Sequence, residues 1–225
     1  VQGLAMASRN VADAQSLMDT ADGALAETHN ILLRMRELAV QAANGTLNDD
    51  DRTALDAEYQ QLEAEITRID GNTTFAGTAL FDGSTKNFQV GAKSGEQVSH
   101  VFTSMSATDI LAKIDHDANS STDAADADIK TTVAAQATIT MLDASIKTVS
   151  TERGKLGALS NRLSSTIANL DQVGVNLSAS KGRIADADFA AETGNLAKNQ
   201  ILQQAATAML AQANASKQTV LALVR

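Results

Sequence analysis

Apolar residues return at every seventh position over the first 43 residues. Leu4, Val11, Met18, Leu25, Leu32 and Ala39 form one line, and Ala7, Ala14, Ala21, Thr28, Met35 and Ala42 form a second. Two such positions per seven, held over about six heptads, predict a long helix packed lengthwise on a partner. Alanine in the second line allows close approach. Asn44-Gly45 supplies a stop. Asn48, Asp49, Asp50 and Asp51 place polar and acidic groups at the next helix start, where the positive end of the helix dipole favours them. Leu55, Tyr59, Leu62, Ile66 and Ile69 give a second seam that ends at Gly71. Residues 1–71 therefore read as two rod helices.

The pattern changes at residue 72. Residues 72–104 carry short apolar runs rich in Thr and Val, with Asp82-Gly83 and Ser94-Gly95 as turn pairs, and read as β-hairpins. Residues 105–134 are small and polar, a short variable segment with a loop or a short helix. The heptad then returns. Ala135, Leu142, Val149, Leu156, Leu163, Leu170 and Leu177 stand seven apart, with Ile139, Ile146, Arg153, Ser160, Ile167 and Gly174 as less regular partners. Residues 135–180 form the C-terminal rod helix. A break is expected after Lys181-Gly182, with Asp186 or Asp188 capping a terminal helix over 181–225.

These lengths bear on shape. A compact protein of this size would be roughly 45 Å across. A helix from 1 to 43 is about 65 Å long, and the one from 135 is similar. The reading is a mainly α, elongated antiparallel helical bundle or coiled-coil rod with a small β-hairpin region in mid-sequence.

Composition narrows the function. The net charge is -9, so no basic stripe is available to displace phosphate counterions, and nucleic acid is excluded as a partner. There is no cysteine, hence no disulfide or thiolate site. There is no proline either, although average usage is about 5%. No apolar run is long enough for a membrane span. Residue 1 is Val and its surroundings read as mid-helix, so the natural N-terminus is expected to lie upstream.

Few residues suggest chemistry. Asp115, Asp117, Asn119, Ser121, Asp123 and Asp126 fall at positions 1, 3, 5, 7, 9 and 12 of a calcium-loop template. Position 6 is Ser120 where Gly is usual, and Asp126 stands where Glu is usual; a solvated loop is the competing reading. His29, His100 and His116 show no ligand spacing. Asp56, Glu58, Glu63, Glu65 and Asp70 read as a charged helix surface. No phosphate loop, nucleophile elbow or metal-hydrolase motif is present, so no cofactor other than that calcium ion, and no enzyme activity, is expected.

Several separated stretches resemble bacterial flagellin in order and spacing: "ASRNVADAQSLMDTADGAL" (7–25), "RMRELAVQAANGT" (34–46), "TTFAGTALFDGS", "FQVGAKSGE", "RGKLGALSNRL" (153–163), "GRIADADFAAE" (182–192) and the last helix. The resemblance spans about 1–92 and 139–225; residues 95–135 lie in the region that varies within the family. It implies a structural subunit of the extracellular bacterial flagellar filament, with other copies of the same subunit as its main partner. It further implies passage through the flagellar export apparatus with a chaperone, and assembly under a filament cap. The absent disulfides and prolines fit threading and rapid folding. The family carries several dozen residues before the point matching Val1, so residues 1–225 by themselves are expected not to polymerise.

The resemblance also assigns a contact surface. In many flagellins the residues matching Arg34, Leu38 and Glu58 dock to the flagellin-sensing Toll-like receptor of animals. Many receptor-activating members carry Gln at the position of Leu33. A solvated helix face and a contact between subunits are the other readings of the same surface. The alternative function is a flagellin-like cell-surface protein that binds a ligand such as a polysaccharide through bridging calcium.

Overall fold

The computed structural model describes residues 1–111, 128–186 and 188–223, with side chains in the last helix to residue 215. The protein divides into two compact units, Val1–Gly174 and Val175–Arg225.

In the first unit, α1 (Gln2–Ala42) is a single helix of 41 residues, about 60 Å long. It buries Ala7, Val11, Ala14, Met18, Ala21, Leu25, Thr28, Leu32, Met35, Ala39 and Ala42, which is the predicted double seam without Leu4. Leu38 joins them. The stop differs from expectation. The cap residue Ala43 is right-handed, with φ -68° and ψ -11°, and Asn44 N–H donates to the Gln41 carbonyl at 3.1 Å. A tightened last turn ends the helix, and no left-handed glycine is used.

The next helix, α2 (Asp49–Asn72), opens with a capping box: Asn48 Oδ1 accepts from Asp51 N–H at 2.8 Å, and Asp51 Oδ2 accepts from Asn48 N–H at 3.4 Å. Its apolar seam is only partly realised. Tyr59 and Ile66 are fully buried, while Leu55, Leu62 and Ile69 are half-buried.

Two antiparallel hairpins follow. The first joins β1 (Thr74–Phe75) to β2 (Thr78–Ala79) through Ala76-Gly77, both at positive φ (50° and 79°). The mirror-image turn suits a two-residue hairpin loop. The sequence gives little sign of it, because alanine is a rare choice for a left-handed position. The second pairs β3 (Thr85–Gln89) with β4 (Gln97–Val101), from Thr85↔Val101 to Gln89↔Gln97. Ser94-Gly95 lies in its loop, with Gly95 at φ 87°. Asp82-Gly83 leads into β3 instead, with Gly83 N–H donating to the Phe102 carbonyl at 2.9 Å.

A short helix, α3 (Ala107–Leu111), tucks Ala107, Ile110 and Leu111 into the core. Then α4 (Thr132–Ala185) runs for 54 residues and buries Ala135, Leu142, Val149, Leu156 and Leu163 as the heptad predicts. Met141, Ser145 and Leu159 widen the stripe to more than one face, which lets α4 touch more than one neighbour. Side-chain pairs fix its direction: Gln15 with Ser164, Asp22 with Arg153 and Arg36 with Asp143 rise along α1 as they fall along α4, so the two helices are antiparallel.

The expected break at Lys181-Gly182 is not there. Glycine inside a helix costs about 1 kcal/mol but does not end it, and α4 continues to Ala185. The next helix begins at Phe189. Asp188 Oδ1 then accepts from Ala190 and Ala191 N–H at 3.0 and 3.2 Å, capping α5 (Phe189–Leu223).

The second unit holds the end of α4 and α5. Leu177, expected in the seam, is exposed, as are Phe189, Leu196, Ile201, Leu202, Met209 and Leu210. Among the described residues, no helix is long and apolar enough to cross a membrane. The protein is thus mainly α, built from long helices and two small antiparallel strand pairs.

Candidate functional site

The charged shoulder of α1 is built by helix spacing. Arg34 and Glu37 are three residues apart, so they lie one above the other on one face. Arg34 Nη1 donates to Glu37 Oε2 at 3.0 Å. From α2, Glu58 Oε1 accepts from Arg34 Nε at 3.0 Å and Nη2 at 2.8 Å. Both carboxylates raise the guanidinium pKa, the Glu58 hydrogen bond most. Two places along, Arg36 turns the other way, and its Nε donates to Asp143 Oδ1 of α4 at 2.6 Å. The shoulder therefore presents one cation between two acids on the outer surface of α1 and α2.

The structure brings Arg34 and Glu58 together but separates Leu38 from them. Leu38 is 1% exposed and belongs to the core. It sits four residues beyond Arg34, yet next to Ala39 on the buried edge of the α1 stripe. It supports the surface from beneath and does not present itself for contact.

The carboxylates of α2 need a correction. They read as charged surface, but Asp56 is 4% exposed. Its Oδ1 accepts from Ile129 N–H at 3.1 Å, and its Oδ2 lies 3.5 Å from Lys130 Nζ. Asp70 is half-buried and accepts from Met105 N–H at 2.7 Å. These two acids fasten the backbone of residues 105 and 129 to one helix. Burial pushes the pKa of Asp70 and that of Glu63 upward; Asp109 adds to the first and Asp56 to the second. Burial also pushes the Tyr59 phenol up, and its hydroxyl has no hydrogen-bond partner among the described residues.

Arg52 is a further residue that sequence reasoning missed. It is buried, and its guanidinium spans the end of α1: Nε to the Ala42 carbonyl at 3.1 Å, Nη2 to the Asn44 carbonyl at 3.5 Å and Nη1 to Asp49 Oδ1 at 3.1 Å. A signal existed. Positions 52, 56, 59, 63 and 66 share the helical period of the apolar seam, so Arg52 and Asp56 fall on its buried side.

The calcium-loop residues Asp115, Asp117, Asn119, Ser121, Asp123 and Asp126 lie outside the described residues, as does His116. Among the described residues, no group of three or more His, Cys, Asp or Glu could hold a metal ion. His100 packs edge-on against Phe102, ring centroids 4.7 Å apart, and burial lowers its pKa.

Two long antiparallel helices, a shorter third and two small hairpins define an antiparallel helical class of protein with exposed polar surfaces. Similarity to known proteins gives the family. Residues 1–86 match the bacterial flagellin N-terminal helical region, and residues 139–224 match the bacterial flagellin C-terminal helical region. The sequence is 45% identical to a flagellin of Halalkalibacterium halodurans, over 100% of this protein and 80% of that one. It is 40% identical to a flagellin of Bacillus subtilis, over 100% of this protein and 82% of the relative. Among solved structures, the crystal structure of Bacillus cereus flagellin matches with a TM-score of 0.60 at 34% identity, covering 77% of this protein and 94% of that one. The chain belongs to the bacterial flagellin family. It is a structural subunit of the flagellar filament, the family is structural, and its members assemble with other flagellin subunits.

Proposed function

We propose that the Arg34–Glu37–Glu58 surface is a docking face of this subunit, used first between neighbouring copies in the filament. The observation that carries the reading is the pairing of Arg34 on α1 with Glu58 on α2 at 2.8 Å on an exposed surface. Exposed ion pairs add little to stability, whereas in a fibre they orient one rod against the next. The same face is the one through which the flagellin-sensing Toll-like receptor of animals would engage the subunit. Leu38 would then act indirectly, by holding α1 in place. The subunit works outside the cell, having passed through the flagellar export apparatus with a chaperone and added beneath a filament cap.

The test is Arg34→Ala and Glu58→Ala in the full-length protein in cells. Electron microscopy should show shortened or absent filaments, and receptor-reporter signalling should fall. Normal filaments together with unchanged signalling would reject the face. The alternative of a calcium-bridged polysaccharide binder rests on residues 115–126, and nothing among the described residues supports it.

A further inference from the structure

Asn44-Gly45 is the sole Asn-Gly pair in the sequence, and the geometry around it is open. The sequence has four places where an Asn or Asp precedes glycine: Asp22-Gly23, Asn44-Gly45, Asp70-Gly71 and Asp82-Gly83. Such pairs rearrange when the glycine nitrogen attacks the carbonyl carbon of the preceding side group, because glycine has no substituent to hinder it. The fold closes three of them. Gly23 and Gly71 lie inside α1 and α2, where the helix ladder takes the N–H and fixes the backbone. Gly83 N–H donates to the Phe102 carbonyl at 2.9 Å.

The fourth is different. Gly45 N–H has no acceptor among the described residues, and both Asn44 and Gly45 are exposed in the turn between α1 and α2. Asn44 Oδ1 accepts from Thr46 N–H at 3.2 Å, an Asx-turn that folds the Asn44 amide over the Gly45 peptide. That hydrogen bond also polarises the amide carbonyl toward attack. We propose that Asn44 is a site of spontaneous deamidation and isoaspartate formation in the folded protein.

The chemistry needs only water. The Gly45 nitrogen loses its proton to hydroxide and bonds to Asn44 Cγ. The bond between Cγ and Nδ2 breaks, and the amide nitrogen leaves as ammonia after taking up a proton. Water then opens the five-membered imide at either carbonyl, giving Asp or isoaspartate. In the isoaspartyl product the backbone runs through the former side group and gains a methylene. The original Asn44 carbonyl, which accepts from Leu47 N–H at 3.3 Å and from Arg52 Nη2 at 3.5 Å, becomes a free carboxylate. A new negative charge thus forms beside the buried Arg52.

The experiment is incubation of the folded protein at mildly alkaline pH, followed by trypsin digestion and mass spectrometry. Residues 37–52 form one tryptic peptide containing Asn44 and Asn48. Asn48 is an internal control, because its side chain is held by the capping box. The expected result is a gain of one dalton located at Asn44, with labelling by an isoaspartyl methyltransferase, while Asn48 stays intact. Gly45→Ala should suppress both signals without unfolding the protein: Gly45 lacks a positive φ, and a Cβ there meets nothing within 4 Å. Asn44 reacting no faster than Asn48 overturns the proposal. So does conversion in Gly45→Ala at the rate of the parent protein.

Discussion

Across 131 residues of sequence, Arg153 Nε donates to Asp22 Oδ1 at 2.8 Å and Nη2 donates to Asp22 Oδ2 at 3.1 Å. Together with Arg36–Asp143, this pair reads the register of α1 against α4. The apolar seams repeat every seven residues and tolerate a slip of one heptad. The charges do not. A slip puts Ile146 or Ser160 opposite Asp22, and Gln136 or Ser150 opposite Arg36, so both pairs are lost and none is gained.

Register control by charge predicts a modest but reversible energetic effect. Asp22→Asn or Arg153→Gln should each cost about 0.2–1 kcal/mol in urea unfolding, because the pair is partly solvated. Exchanging the partners, with Asp22→Arg and Arg153→Asp together, should recover part of that loss. A double-mutant cycle with zero coupling would show that the pair does not hold the helices.

Arg52 should matter more than any exposed pair. Arg52→Ala leaves the Ala42 and Asn44 carbonyls without their charged donor at a buried helix end, a cost of about 2–3 kcal/mol. Arg52→Lys should restore only part of it, since a point charge cannot span both carbonyls. Asp49→Ala should be near neutral, the Asp49 side chain being 98% exposed. Chemical denaturation of the three variants checks the order.

Tyr59→Phe should leave stability unchanged or raise it by about 1 kcal/mol. The hydroxyl is buried without a partner among the described residues, so removing it deletes an unsatisfied polar group and leaves no donor behind. A loss above that size in urea titration would mean that the phenol is bonded after all.

Glu63 and Asp82 should shift the pH profile in opposite directions. Burial raises Glu63 above the ordinary carboxylate value, so the folded state binds more protons there, and stability is gained as pH falls through the raised value. Glu63→Gln should therefore stabilise most at neutral pH, with the gain vanishing in acid. Ser84 and then Lys86 hold Asp82 well below its usual range. Its contribution is present above the ordinary carboxylate value and is lost as pH falls below it, so Asp82→Asn should destabilise at neutral pH and not in strong acid. Thermal melts from neutral to acid pH measure both.

The long helices were legible because a seven-residue apolar repeat has one cheap solution, burial along a partner helix. Eleven of the twelve predicted seam positions in α1 are buried for that reason. The capping of α2 was legible too, since Asn48 and Asp51 need only each other's backbone. Arg34 and Glu58 could be named from the family resemblance, but their pairing needed α2 to return alongside α1.

Local pattern by itself determined the α1 seam, the most buried positions of the α4 heptad, the cap of α2 and the presence of hairpins within 72–104. It did not decide which polar residues go inside. Arg52 is buried because the end of α1 folds back over it and its carbonyls accept from the guanidinium, and Asp56 because the backbone at Ile129, 73 residues away, supplies the hydrogen bond that makes burial tolerable. Leu38 left the predicted surface because α1 meets more than one neighbour and its buried stripe widened to reach them. Such outcomes depend on residues far apart in sequence arriving at one place, and only the tertiary structure brings them there.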